Sequence, residues 1–271
     1  MSAPGSISVV VAFGGGLRPA AGCVDSFRSQ LDPGRGDEVL IEEGSAETLV
    51  PELWARGIER ASGEIVALTV GSMEAAPGWA DGIRSEMAQR LAGVGGAIEP
   101  GAELDLVGRA VHLCRYSSYL RPFEEGDADG LPGDNAAYRR SDLESCREIW
   151  KLGFWETEVD PVLRRNGGRL KMTSRIALKH VSGAGVAAFC RNRIRHGMRS
   201  GSHRAGRLSR GGRMLRAAAS PLVPFVLLRR IGRRASSRGR GRDFRRAWPI
   251  VFLFLCVWSA GEAAGYVRGP S

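Results

Sequence analysis

The run Gly153-Phe-Trp-Glu-Thr-Glu-Val-Asp160 sets three carboxylates, Glu156, Glu158 and Asp160, beside the rings of Phe154 and Trp155. A carboxylate held at a helix start under aromatic rings can serve as a general base. Partial desolvation raises its pKa, while the helix dipole opposes that shift. Acids also favour first turns for capping and dipole reasons alone, so a structural role competes with the catalytic one. Thr157 with Asp160 three residues on reads as a capping box, and Val159, Val162 and Leu163 supply one apolar face. Pro161 suits a first turn, and Gly167-Gly168 stops the helix.

The elements that must position these acids are legible upstream. Apolar runs at 7–13, 38–41, 64–69 and 94–98 read as strands, with a closing strand at 169–177. Helical patterns at 23–30, 49–61 and 79–91 alternate with them. This spacing predicts an α/β protein with βαβ units and a mostly parallel central sheet. In such sheets ligands sit at the carboxyl ends of the strands, here residues 13–16, 42–45 and 70–74. Residues 101–133 read as loop-rich, and Ser141 with Glu144 opens a further helix.

Charge divides the chain. Residues 1–190 carry a net charge of −7, whereas residues 191–246 hold 18 Arg against the single acid Asp243. Five scattered cysteines without C-x-x-C spacing argue against a disulfide framework or a zinc site and for a reducing compartment. The first residues lack the positive charge of a secretory signal. The expected organisation is a domain over 1–190, an Arg-rich juxtamembrane region over 191–246 with a short apolar segment at 220–231, and an apolar segment over 247–271. Residues 247–260 are uncharged but shorter than the roughly 20 residues a span needs, so shallow insertion is expected, with Trp248 and Trp258 near the headgroups. The arginines precede this run and have few interleaved aromatics, which favours anionic lipid over nucleic acid; no nucleic-acid partner is expected.

Several ordered segments resemble inverting family 2 glycosyltransferases of the GT-A fold. They are Ser6-Ile-Ser-Val-Val-Val11, Glu38-Val-Leu-Ile-Glu-Glu-Gly-Ser45, Gly57-Ile-Glu-Arg-Ala-Ser-Gly-Glu-Ile-Val66, Pro77-Gly-Trp79, Gly95-Gly-Ala-Ile-Glu-Pro100 and Pro132-Gly-Asp-Asn-Ala-Ala-Tyr-Arg-Arg-Ser-Asp-Leu143. The resemblance implies a three-layer GT-A domain with a basic and apolar membrane-associated extension. It also implies a nucleotide-sugar donor and a lipid-linked or cell-surface glycan acceptor, while the arginines and scattered cysteines lead us to expect the cytoplasmic face of the cell membrane. By position Phe13 and Glu43 would contact the nucleotide, Ser72 and Glu74 the diphosphate side, and Asp134, Asn135 and Arg139 the acceptor side. Glu156 falls at the family's base, with Glu158 two residues on, and His180 at a position that can bind metal or diphosphate.

The chain departs from that family where its paired aspartates hold a divalent metal. Thr69-Val-Gly-Ser-Met-Glu74 has no Asp. Either Glu74 and His180 hold Mg or Mn, or Arg139, Arg140 and Arg191 neutralise the leaving group without a metal, or the protein is a non-catalytic scaffold.

Overall fold

A computed structural model describes residues 5–14, 20–45 and 47–269. The chain divides into two compact units: Met1–Glu103 with Tyr119–Ser182, and Leu104–Ser118 with Gly183–Ser271.

The first unit is a mixed sheet covered by helices. Its elements run β1 (Ile7–Phe13), α1 (Cys23–Arg28), β2 (Glu38–Glu43), α2 (Val50–Arg60), β3 (Ile65–Val70), β4 (Met73–Ala75), α3 (Trp79–Met87) and β5 (Gly93–Pro100). After α4 (Leu106–Tyr116), which belongs to the second unit, come β6 (Gly126–Asp127), β7 (Ala136–Arg139), α5 (Arg140–Glu144), α6 (Arg147–Trp150), α7 (Glu156–Arg165) and β8 (Leu170–His180). The strand order is β2-β1-β3-β7-β5-β8-β4, with β6 also on β8. Pairing is parallel for β1 with β2, β1 with β3 and β5 with β8, and antiparallel for the rest. The expected mostly parallel sheet is therefore corrected to a mixed one. β7 reverses direction between β3 and β5, because a short strand there enters straight from the 133–135 turn rather than through a crossover helix.

The central strands explain the apolar runs. Every residue of β3, and every residue of β1 up to Ala12, is buried, as a strand covered on both faces requires. β2 lies at the edge and is only half-buried. Under the amino ends of β1 and β2, Asp37 accepts from the Ile7 and Asp32 amides, each at 2.8 Å, and pairs with the buried Arg84 guanidinium.

The second unit is helical: α4, then α8 (Val186–Ala205), α9 (Arg210–Ala219), α10 (Val223–Ser237) and α11 (Gly241–Arg268). The Arg-rich stretch is thus folded into helices, and α4 occupies part of the 101–133 segment expected to be loop-rich. α8 and α11 run parallel and cross through glycine. A Cβ on Gly197, Gly201, Gly261 or Gly265 would stand 2.2 Å from a carbonyl oxygen of the opposite helix. Two Gly-x-x-x-Gly spacings thus let the backbones touch. α4 is tied in by Arg109 to Asp243 at 3.4 Å and by Arg234 to Ser118 at 2.6 Å. α11 extends beyond the uncharged run at both ends. It is the one helix among the described residues long and apolar enough to cross a membrane, though part of it is buried within the protein.

Candidate functional site

Three strand ends meet where the parallel strands finish. Phe13 and Glu43 are register partners at the ends of β1 and β2, and the Gly44 amide donates to the Phe13 carbonyl at 2.9 Å. The Glu43 side chain is exposed and the Phe13 ring half-buried. That ring lies over Gly71, just past β3, where a Cβ would stand 2.6 Å from the ring edge. Gly15 and Gly16, included in the expected first strand end, lie outside the described residues.

Glu156 comes to the same end of the sheet by a route the sequence did not reveal. β7 pairs antiparallel with β3, Ala136 opposite Leu68, so residues 133–135 turn just beyond the β3 carboxyl end. Trp54 of α2 donates from its indole to the Thr69 carbonyl at 2.8 Å. Gly133 sits between this ring and α7: a Cβ there would meet Trp54 at 2.9 Å and the Glu156 Oε2 at 3.2 Å. The Glu156 carboxylate therefore stands across a glycine from an indole fixed to the end of β3.

The helix beneath it starts earlier than the capping-box pattern predicts. Trp155 occupies the N-cap position, Glu156 is the first helical residue, and Pro161 lies inside the helix. Thr157 is then already helical, and Pro161 removes the bond its nitrogen would have made to the Thr157 carbonyl. At 100° per residue, Glu158 points to a different side of α7 from Glu156, while Asp160 shares the Glu156 side.

Asp160 is buried and braces the neighbouring loop. Its two oxygens accept from the Leu131 amide at 2.7 Å and the Tyr138 hydroxyl at 2.9 Å. Burial pushes its pKa up to about 6, although both hydrogen bonds pull the other way. Burial also drives Tyr138 well above its ordinary value, and the carboxylates of Asp160 and Glu156 add to the shift.

The remaining expected site residues divide by place. Asp134 is buried in the 133–135 turn at this end of the sheet. Asn135 is an internal strut: its amide donates to the Ala97 carbonyl at 2.8 Å, and its carbonyl accepts from the Trp79 indole at 2.9 Å. Arg139 lies at the opposite end of the sheet, paired with Ile65 at the start of β3. It donates to the Met87 carbonyl at the end of α3, at 2.9 Å, and to the Leu91 carbonyl just beyond it. Arg140 is beside it, bound to the Gly63 carbonyl. Neither arginine is at the end of the sheet where Glu156 lies.

Glu74 and His180 are not brought together. In the β4–β8 ladder Met73 faces His180 and Glu74 faces Lys179, and side chains alternate across a sheet. The two therefore project from opposite faces. His180 is buried with Met73, whereas the Glu74 carboxylate reaches the Gly22 backbone at the start of α1. Among the described residues no group of three His, Cys, Asp or Glu could hold a metal ion. On opposite faces of the sheet, Glu74 and His180 do not form a site for a divalent cation. At the β3 end, the buried hydroxyls of Thr69 and Ser72 have no hydrogen-bond partner among the described residues.

Trp54, Gly133 and Tyr138 were not identified as site-forming from the sequence. Trp54 carried no signal, since an aromatic on the apolar face of a helix reads as core.

No protein-family model matches the chain, and no curated protein does. Among solved structures the chain is similar to GalNAc-T7 with UDP, GalNAc and Mn2+, at 12% identity and a TM-score of 0.47, covering 65% of this chain and 44% of that one. It is also similar to S. aureus TarS 1-349 in complex with UDP-GlcNAc, at 12% identity and a TM-score of 0.46, covering 70% of this chain and 66% of that one. The chain spans less than half of the first and just under two thirds of the second.

Proposed function

We propose that the sheet unit is an inverting glycosyltransferase of the family 2 type that binds a nucleotide-sugar donor at the carboxyl ends of β1, β2 and β3. The observation that carries this reading is the Glu156 carboxylate beside Gly133 and Trp54, at the end of the sheet where Phe13, Glu43 and Ser72 also lie. The exposed Glu43 offers acceptor oxygens for base or ribose. Glu156 takes the proton of an acceptor hydroxyl, whose oxygen attacks the anomeric carbon. The bond to the nucleoside diphosphate breaks, and its electron pair leaves with the diphosphate. The acceptor is a lipid-linked or cell-surface glycan, met at the cytoplasmic face of a membrane to which the basic helical unit adheres. A sugar-transfer assay with Glu156→Gln tests the reading, with a loss of roughly a hundredfold or more expected for a missing base. Full retained activity removes Glu156 from the role.

A second reading, a non-catalytic scaffold, is favoured by one observation. No acid stands in the 69–73 window, and Arg139 and Arg140 lie at the far end of the sheet, so neither of these two arginines meets a leaving diphosphate. Calorimetry with sugar nucleotides separates the two, since the scaffold predicts no binding.

A further inference from the structure

We infer that the α9–α10 face, rather than the more apolar α11, is the surface that enters a bilayer, and that it lies along an anionic leaflet without crossing it. This rests on the membrane association proposed above. Residues 217–228 contain no charged side chain, and the run is continuously helical from α9 through the Ser220–Leu222 turn into α10. At 1.5 Å per residue these twelve residues cover about 18 Å, well short of a hydrocarbon core of about 30 Å. Yet the side chains point outward. Leu215 is 71% exposed, Leu222 66% and Phe225 61%, and their spacing sets them on one helical stripe. Stranding such large groups in water is unfavourable, so the stripe calls for an apolar cover.

Charge identifies the cover. Arg210 and Arg216 lie before the uncharged run, and Arg229, Arg230 and Arg233 after it; all five are exposed. No acid occurs anywhere between Asp160 and Asp243. An apolar stripe closed at both ends by exposed arginine matches acyl chains bordered by anionic headgroups. α11 runs antiparallel alongside: the Phe225 and Phe252 rings meet tilted, centroids 5.1 Å apart, and the Ser259 hydroxyl donates to the Ser220 carbonyl. The uncharged stretches of the two helices are therefore level with each other. α11, however, buries Val251, Phe254 and Leu255 inside the unit and gives its glycine edge to α8. Part of its apolar surface is thus spent within the protein, and the exposed apolar groups of its uncharged stretch, Trp248 and Leu253, are less exposed than Leu215, Leu222 and Phe225 of α9–α10.

The test is flotation of the full chain with phosphatidylcholine vesicles, with and without phosphatidylglycerol. Wild-type protein should float with the anionic vesicles and not with the neutral ones. The double change Leu222→Glu/Phe225→Glu should weaken anionic binding roughly a hundredfold, a tenfold loss for each buried apolar side chain. Leu253→Glu on α11 should change it little. The replaced side chains are exposed, so the melting temperature should hold; Leu215→Glu is an independent variant on the same stripe. Failure of the wild type to float refutes membrane association itself. Wild-type flotation that survives both stripe variants, or is lost in Leu253→Glu alone, refutes the assignment to α9–α10. Unchanged flotation of the double variant with a dimer turned to monomer would mean that a second copy covers the stripe, which also overturns it.

Discussion

Replacing Asp160 by Asn should stabilise the protein at neutral pH and remove a specific slope from its stability profile. The folded-state pKa of about 6 lies about two units above the ordinary aspartate value, which corresponds to about 3 kcal/mol. The sign follows from proton counts. Below about pH 4 the carboxyl is protonated whether the chain is folded or not, and the group adds no pH dependence. Between about pH 4 and pH 6 the unfolded chain has released the proton while the folded protein keeps it, so stability falls as pH rises. Above about pH 6 both states are ionised and the full cost of about 3 kcal/mol persists. Asparagine does not titrate. Its oxygen still accepts from the Leu131 amide, and its amide can donate to a turned Tyr138 hydroxyl. Urea unfolding of both proteins from pH 4 to pH 8 reads the effect as a difference. Asp37, Glu38 and Glu125, whose carboxyls are held below their ordinary range, impose an opposite slope that is common to both proteins and cancels. The stability of Asp160→Asn relative to wild type should rise by about 3 kcal/mol across that range, mostly between pH 4 and pH 6, and then level off. A difference that stays flat over the whole range would refute the claim that Asp160 is buried against its own charge.

Two further substitutions probe the ends of the sheet. Gly133→Ala drives a methyl into the Trp54 ring and toward Glu156, so the turn must shift; transfer activity should drop at least tenfold, with about 1–3 kcal/mol lost in chemical unfolding. Arg139→Gln deletes the charged donors to the Met87 and Leu91 carbonyls, far from the site. It should cost about 1–3 kcal/mol of stability and leave the donor KM unchanged, and a raised KM would put Arg139 back at the ligand.

The elements were more legible than their arrangement. The runs that became β1, β2, β3 and β5 are visible because each is apolar and strand-length, and α2 and α3 because their apolar residues recur at helical spacing. β7 was hidden: Ala136-Ala-Tyr-Arg139 is short, and it reads equally well as the approach to a helix. Missing it turned a mixed sheet into a parallel one and left Arg139 and Asn135 grouped with Asp134. The glycines of α8 and α11 likewise gave no sign that the Arg-rich stretch would be helical, since glycine weakens an isolated helix and helps only where a second backbone arrives.

By itself the sequence determined that an acidic α/β part precedes a basic part, and that the acids at 156–160 could do chemistry, because composition and period are local properties. Tertiary structure alone decided where each acid lies. Helical rotation sends Glu158 away, burial makes Asp160 a brace, and Gly133 with Trp54 gives Glu156 its place at the end of β3. Strand alternation likewise separates Glu74 from His180, although they lie one register step apart. Direction and burial are set by what packs against a residue, and those neighbours come from distant parts of the chain.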